Sequence, residues 1–289
     1  MAQLMKGQTW KAAQKLVRGK PRFTYPVFGE IKLDEIRCRV VYSTLLQIVT
    51  FESYAGKPLH NLGHFAPAFE AWFLRSGYTD LDCGILVNGN FNDSYRWVRS
   101  SKGVPPGLEA AKVEILLFDL PDDGAPFSRR WVRIESVAEG LRIFHGLPMI
   151  RPEGRLLLDE ADVMAFYRYA RQKGQEGLMV KTLEHTYSRT RTWDWLKLKP
   201  EETHDGVITE VVQARSIHGE LLDRAGSVRV TLEDGSKATP SGIGHELGRD
   251  MLASPERYIG QWVEFTRMEE DRQGGSRHPI FRRLREAKA

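Results

Sequence analysis

Gly29-Glu30-Ile31-Lys32-Leu33-Asp34-Glu35-Ile36-Arg37, running on into Cys38-Arg39-Val40, is the stretch around which the chain is organised. Ile31, Leu33, Ile36, Cys38 and Val40 are apolar and are interleaved with Glu30, Lys32, Asp34, Arg37 and Arg39. That alternation predicts a half-buried strand, a turn and a second strand. A strand end is a rigid mount for a charged side chain facing a cleft, which is what a reactive lysine needs. Lys32 is therefore the candidate nucleophile. A Lys-x-Asp pair on a strand is also ordinary surface chemistry, so the stretch has to be weighed with the rest of the chain.

Working outward, Glu176-Gly177-Leu178-Met179-Val180-Lys181 predicts a strand entered from a glycine turn, with an acid at one end and a lysine at the other. Trp195-Leu196-Lys197-Leu198-Lys199-Pro200 alternates strictly, placing Lys197 and Lys199 on one strand face and Leu196 and Leu198 on the other. Two like charges on one face are tolerated when the face is wet or when an anion sits between them. Other segments read more plainly. Helices are predicted over residues 8–19, 65–74, 127–144 and from Asp159 or Glu160 to about Lys173, and Val113 to Leu120 predicts a buried central strand. Asp80 to Asn90 predicts a strand ending in an Asn88-Gly89 hairpin turn, and Phe91 to Gly107 a basic loop over a binding surface.

Pro200-Glu201-Glu202-Thr203-His204-Asp205-Gly206 is the most linker-like stretch. Beyond it short β-runs with close turns predict a small Greek-key barrel of the oligonucleotide-binding type, interrupted by one helix near Gly244 to Leu252. The expected division is 1–202 and 203–289, within a 289-residue chain. No apolar run approaches the about 20 residues of a membrane span, and the N-terminal stretch lacks the apolar core of a secretory signal. Two cysteines, Cys38 and Cys83, are too few for a disulfide framework or zinc site. A reducing cytoplasm is expected. The net charge of +4 says little, but basic residues cluster toward both ends, from Lys6 to Arg39 and from Arg267 to Lys288. Such ends suit a clamp on a polyanion, or equally solvated faces and a frayed tail.

Taken jointly, the strands supply a lysine beside a carboxylate, a further acid and a pair of lysines. A lysine nucleophile must be deprotonated, and cations such as Lys197 and Lys199 would disfavour its charge. The same two lysines would bind an α-phosphate and stabilise charge that develops on it. Glu176 would serve a divalent metal bridging phosphates. This is the inventory for nucleotidyl transfer through a lysyl phosphoramidate.

Glu30-Ile-Lys32-Leu-Asp34, Glu176-Gly-Leu-Met-Val-Lys181 and Trp195-Leu-Lys197-Leu-Lys199-Pro resemble three motifs of the ATP-dependent DNA ligases, in order. The tail Met268-Glu-Glu to Gly275-Ser-Arg277-His-Pro-Ile-Phe281 looks like the end of the barrel domain in the small bacteriophage ligases. The resemblance implies an α+β fold: an antiparallel-sheet nucleotidyltransferase (adenylation) domain followed by an all-β oligonucleotide-binding barrel. It implies that Lys32 attacks the α-phosphate of ATP and carries AMP. The nucleotide-binding set would be Glu30, Ile31, Arg37, Phe118, Lys181, Lys197 and Lys199. Glu30 and a stacked Phe118 would hold adenine, Arg37 would contact sugar and phosphate, and the three lysines phosphate. Glu176 would hold Mg2+ or another divalent metal. The implied partner is nicked double-stranded DNA, bound by a monomer in the cytoplasm, of a bacterial host if the chain is phage-encoded.

Three positions depart from the family pattern. Glu35 stands where Lys-x-Asp is normally followed by glycine, and a turn needing positive φ there would be strained by about 1–2 kcal/mol. Gly84, in Asp82-Cys83-Gly84, stands where the family has a glutamate that contacts metal or ribose, and Asp82 or Asp80 are the nearest substitutes. Tyr54, in Ser53-Tyr54-Ala55-Gly56, stands where the family has arginine. These departures open a second reading, a weakened or inactive ligase-fold protein that still grips DNA. A third keeps the chemistry and changes the acceptor, as in RNA ligases or guanylyltransferases.

Overall fold

A computed structural model describes residues 4–14, 17, 19–200, 202–270 and 276–285. The chain divides into two compact units, Met1–Lys199 and Pro200–Ala289. In chain order the first unit contains β1 (Lys6–Thr9), α1 (Trp10–Ala13), β2 (Val27–Lys32), β3 (Ile36–Ser43), β4 (Ile48–Ser53) and α2 (Ala66–Ser76). It continues with β5 (Asp80–Val87), α3 (Phe91–Arg99), β6 (Val113–Asp119), α4 (Phe127–His145), β7 (Met149–Ile150), β8 (Gly154–Leu157), α5 (Glu160–Gln172), β9 (Gly177–Thr182) and β10 (Arg191–Leu198).

These strands form two five-stranded sheets, ordered β1-β10-β9-β2-β8 and β4-β3-β5-β6-β7. Pairing is antiparallel except for β1 with β10 and β6 with β7. Every residue of β5 is buried, as expected of the middle strand of the second sheet. That sheet packs its apolar face against α2 and α4 through Phe69, Phe73, Phe127, Ile134 and Leu141. The first sheet is backed by α5, whose Val163, Phe166 and Ala170 share one helix face and are buried with Val27, Leu178, Val180 and Leu196. Asp159 caps that helix by accepting a hydrogen bond from the Asp162 amide at 2.9 Å, and Glu160 and Asp162 complement the helix dipole in its first turn. The other faces of β2, β9 and β10 are thereby left to point into a cavity.

Two expectations for the first unit need correction. Phe91 to Arg99 is a helix and not a loop, and the Asn88-Gly89 turn leads into it rather than into a second hairpin strand. The turn itself forms, with positive φ at Asn88 and Gly89. Asn90 then accepts from the Asp93 amide at 2.9 Å as an N-cap, and Ser94, Trp97 and Val98 are buried at helical spacing. The local cap and the buried stripe outweigh the hairpin signal. At the N-terminus the helix is confined to Trp10–Ala13, capped by Thr9, because Lys6–Thr9 pairs with β10 as a strand. Lys15, Leu16 and Arg18 of the expected helix lie outside the described residues.

The second unit contains β11 (Glu202–Arg215), β12 (Leu221–Leu232), β13 (Lys237–Ala238), α6 (His245–Ala253), β14 (Trp262–Glu270) and β15 (Ser276–Arg285). They form an antiparallel sheet ordered β13-β12-β11-β14-β15. Ser241 bridges to Ser227 of β12 and to Ile280 of β15, linking strands from both sides of that order. Ile208, Val228, Val230, Met251, Val263 and Phe265 make its separate core. At the end of the chain Arg283 pairs with Glu264 at 2.8 Å and Arg285 with Glu264 at 2.8 Å and Asp205 at 2.9 Å. These arginines of the basic tail thus face acids of the same sheet. Residues 271–275 of the ligase-like tail lie outside the described residues.

Candidate active site

Both sheets of the first unit contribute to a cavity of about 290 Å³. Lys6 and Gly7 enter from β1, Glu30, Ile31 and Lys32 from β2, Met179 and Lys181 from β9, and Trp195 and Lys197 from β10. Arg37 of β3 and Phe118 of β6 come from the second sheet, and Glu35 and Tyr54 complete much of the remaining wall. All the expected nucleotide-binding residues except Lys199 therefore line one cavity. Neither Lys199 nor the expected metal residue Glu176 lines it; the two form an ion pair with each other.

Lys32 ends β2, its side chain 15% exposed. Its Nζ donates to a Glu176 carboxylate oxygen and to the Leu33 carbonyl at 3.2 Å, and it lies 3.8 Å from Glu35 Oε2. The other Glu176 oxygen takes Lys199. Gly177 makes this bridge possible. Its φ is +152°, and a Cβ there would stand 2.0 Å from the Leu198 carbonyl oxygen. Only glycine lets the chain enter β9 tight against β10, which brings Glu176 between the two lysines. The Glu176 amide donates to the Lys32 carbonyl at 3.1 Å, extending the β2–β9 ladder to the acid itself.

The electrostatics differ from the expectation in one respect. The sequence places cations around Lys32, whereas the structure sets its ammonium between two carboxylates. Lys197 is pushed down to about 8, by burial first and then by the charges of Lys32, Arg37, Lys6 and Arg191. Lys181 also sits differently from a group free to meet a phosphate. It is only 1% exposed, donates to the Phe118 carbonyl at 3.0 Å and pairs with Glu30 at 2.6 Å. Burial lowers its pKa, and Glu30 and Asp119 work against that. The second oxygen of Glu30 accepts from Arg151 at 2.8 Å. Glu30 and Lys181 thus brace the cavity floor against each other.

Arg37 is fixed by two bonds to Asp82, each 2.5 Å, and lies 5.3 Å from the Phe118 ring centre and 5.2 Å from that of Trp195. Asp82 also accepts from Tyr187 at 2.6 Å, and Asp80 is held by Arg39 and Arg189. Neither aspartate lines the cavity, so neither replaces the acid missing at Gly84. A buried chain continues behind the wall. Arg130 bonds Asp119 at 2.8 and 3.0 Å and touches His185 Nε2 at 3.2 Å. That nitrogen also accepts from Trp195 Nε1 at 3.1 Å, so His185 carries its proton on Nδ1, 2.6 Å from the Thr182 carbonyl. Burial pushes the His185 pKa down and keeps the ring neutral.

The sequence reading missed Lys6, Met179 and Trp195 as cavity residues. Met179 and Trp195 share strand faces with Lys181 and Lys197, so period-two alternation carries the signal for them. Lys6 carries none, since its place depends on pairing with a strand far along the chain. Its Nζ lies 4.7 Å from the centre of the Tyr54 ring, bringing a cation to the position where the expected arginine is absent.

Among the described residues no group of three or more His, Cys, Asp and Glu side chains could cage a metal ion. The carboxylates flanking Lys32, Glu176 and Glu35, fit the alternative mode for Mg2+, in which the ion keeps most of its waters and is carried chiefly by phosphates.

No protein-family model matches the chain. The DNA ligase of Enterobacteria phage T3 is 31% identical to it over 135 residues, which is 44% of this chain and 38% of the phage protein. The match thus spans less than half the length of that relative. Among solved structures, a Lig E DNA ligase described as binding DNA with a minimal scaffold superposes with a TM-score of 0.73 at 20% identity, covering 98% of both chains. The ATP-dependent DNA ligase from bacteriophage T7, in complex with ATP, gives a TM-score of 0.57 at 20% identity, again over 98% of both chains. The chain is thus similar over part of its length to a phage DNA ligase, and it shares its fold with solved DNA ligase structures.

Proposed function

We propose that this protein is an ATP-dependent DNA ligase that seals 5′-phosphate/3′-hydroxyl nicks in duplex DNA through AMP carried on Lys32. The observation that carries this reading is the Lys32–Glu176–Lys199 bridge, whose Lys32 lines a nucleotide-sized cavity. An ammonium ion has no lone pair with which to attack, so its proton must leave first. Glu176, already hydrogen-bonded to Nζ, is placed to take it. The freed nitrogen attacks the α-phosphorus, the bond to the bridging oxygen breaks, and pyrophosphate departs. Lys197 on β10 and Lys199 just beyond its end would then offset the charge that grows on the phosphate in that step, and Lys6 adds a third cation from β1.

The AMP group passes to the 5′-phosphate of the nick as the phosphorus–nitrogen bond breaks. The 3′-hydroxyl displaces AMP and closes the strand. Mg2+, held by the triphosphate with Glu176 and Glu35 nearby, would offset the phosphate charge. Arginine and lysine contacts to the DNA backbone would position the duplex without reading its sequence. The division of labour would follow the two units, with Met1–Lys199 adenylating and Pro200–Ala289 gripping DNA, a boundary three residues before the expected 202/203. No described helix is long and apolar enough to cross a membrane; we place the protein in the cytoplasm, as a monomer.

Incubation with ATP labelled at the α-phosphate and Mg2+ should leave label on the protein, and Lys32→Ala should abolish it. The labelled protein should seal a nicked DNA duplex in preference to nicked RNA. Absence of label with every divalent metal would overturn the reading.

A further inference from the structure

Glu35 and Gly84 were read in sequence as two separate losses, a glycine replaced by an acid and an acid replaced by a glycine. In space they meet. A Cβ built on Gly84 would stand 2.5 Å from Glu35 Cγ and 2.7 Å from both Cε2 and Cζ of Phe118. The Glu35 side chain therefore fills the volume that any side chain at position 84 would need. Gly84 lies in the middle of a wholly buried strand, opposite Arg37 in the ladder, so its backbone has no room to retreat. The turn that carries Glu35 is not strained by it, because Glu35 is absent from the residues with positive φ, which among non-glycines described are Gln47, Asn61 and Asn88.

The carboxylate is not buried away. Glu35 lines the cavity, its side chain is 11% exposed, and Oε2 is 3.8 Å from Lys32 Nζ. Its stem meanwhile rests where Phe118 closes over Gly84. Resting on the function proposed above, Phe118 is the platform for the base and Lys32 marks the α-phosphate. A carboxylate between them faces the part of a nucleotide that joins base to phosphate, and that part is the ribose.

We propose that Glu35 and Gly84 are a reciprocal exchange, and that Glu35 supplies from the β2–β3 turn the carboxylate that accepts hydrogen bonds from the ribose hydroxyls. It is a specificity-determining residue for ribonucleotides. A hydrogen bond from a hydroxyl to a charged acceptor is worth roughly tenfold to a hundredfold in affinity. The site would therefore prefer ATP to 2′-deoxy-ATP or 3′-deoxy-ATP by about that factor, and removing Glu35 would erase the preference.

The experiment has two arms on the full chain. The first measures melting temperature without nucleotide. Gly84→Glu alone should lower it by several degrees, and adding Glu35→Gly in the same chain should restore most of the loss. A double variant no more stable than Gly84→Glu would overturn the exchange. The second arm measures binding of ATP, 2′-deoxy-ATP and 3′-deoxy-ATP by calorimetry, in the wild-type chain and in Glu35→Gly and Glu35→Gly/Gly84→Glu. The preference should vanish in the single variant and return in the double. An unchanged preference in Glu35→Gly would overturn the ribose role, and so would failure of ATP to bind the wild type. Neither arm needs covalent label, so a wild-type chain that prefers ATP through Glu35 yet takes no label at Lys32 would sink the ligase reading and leave this one standing.

Discussion

The two sheets of the first unit carry the same kinds of charged residue and use them in opposite ways. In the β4-β3-β5-β6-β7 sheet the acids Asp80, Asp82 and Asp119 are at most 1% exposed, and each is tied to an arginine. In the β1-β10-β9-β2-β8 sheet, Lys32 and Lys197 line a cavity, and Glu176 shares itself between Lys32 and Lys199. Planar arginines with two bonds to one carboxylate make rigid joints. Lysines sharing an acid make an arrangement that an incoming phosphate can take apart. One sheet is a frame, the other is poised, and Arg37 and Phe118 are the points at which the frame reaches the cavity.

Five substitutions or titrations would break or sharpen that contrast. The largest effect is expected from Lys32→Ala, which should remove adenylate label altogether while leaving the melting temperature close to wild type. A large fall in melting temperature would mean that Lys32 is part of the frame after all. Arg130→Met should do the reverse. It leaves Asp119, a buried carboxylate whose pKa is lowered because Arg130, Lys181 and the Leu120 amide together outweigh burial, without its arginine. The cost should be about 3–5 kcal/mol in denaturant unfolding, and a value under 1 kcal/mol would make the network dispensable.

Glu176→Gln keeps the shape and removes the charge, and should slow labelling by roughly a hundredfold or more with little change in stability. Unchanged labelling would take Glu176 out of the proton path. Gly84→Ala tests the tightest joint between the sheets. One methyl group against Glu35 and Phe118 should cost about 1–3 kcal/mol of stability, and a neutral result would show that Glu35 moves aside freely.

The smallest effect is a pH dependence of Lys197. Its folded pKa of about 8 lies below the ordinary lysine value of 10.5. The unfolded chain therefore binds the extra proton between those values, and stability should rise with pH across that window. Lys197→Met should flatten the rise. Phosphate binding runs the other way, because Lys197 loses its charge as pH climbs through about 8. ATP affinity should fall by about three- to tenfold between pH 7 and 9, and Lys197→Arg should remove the fall. An affinity that is flat in the wild type would take Lys197 out of the phosphate site.

The frame and the poised sheet were not equally legible. Lys32, Lys181 and Lys197 announced themselves by alternation, because a strand face repeats every second residue whatever its neighbours are. In the second unit β11, β12 and β14 were legible as strands, though they run longer than the short β-runs expected. Helix α3 was not, since an Asn-Gly turn reads as a hairpin until the buried stripe of Ser94, Trp97 and Val98 is counted. Least legible were features that depend on two distant segments at once. The sequence set Glu35 against the ligase pattern and Gly84 against it, and nothing in either local stretch says that the two share one volume. Lys6 over Tyr54 and the pairing of Arg37 with Asp82 are of the same kind. Such pairs become visible only when the strands are laid beside each other.

The pairing of β1 with β10 bears on how the protein comes into being. Met5, whose amide donates a hydrogen bond to the Tyr187 hydroxyl oxygen at 2.9 Å, stands 182 residues before its partner. On a ribosome adding about 5–20 residues per second, the segment from Lys6 to Thr9 has no strand to join for on the order of ten to forty seconds. Through that interval β2 also lacks β9, and Lys32 has no Glu176 beside it. The second sheet can assemble well before then, since its last strand ends at Ile150. A nascent chain would thus carry a finished frame and an unfinished cavity, and it would gain the capacity to hold a nucleotide only late in its own synthesis.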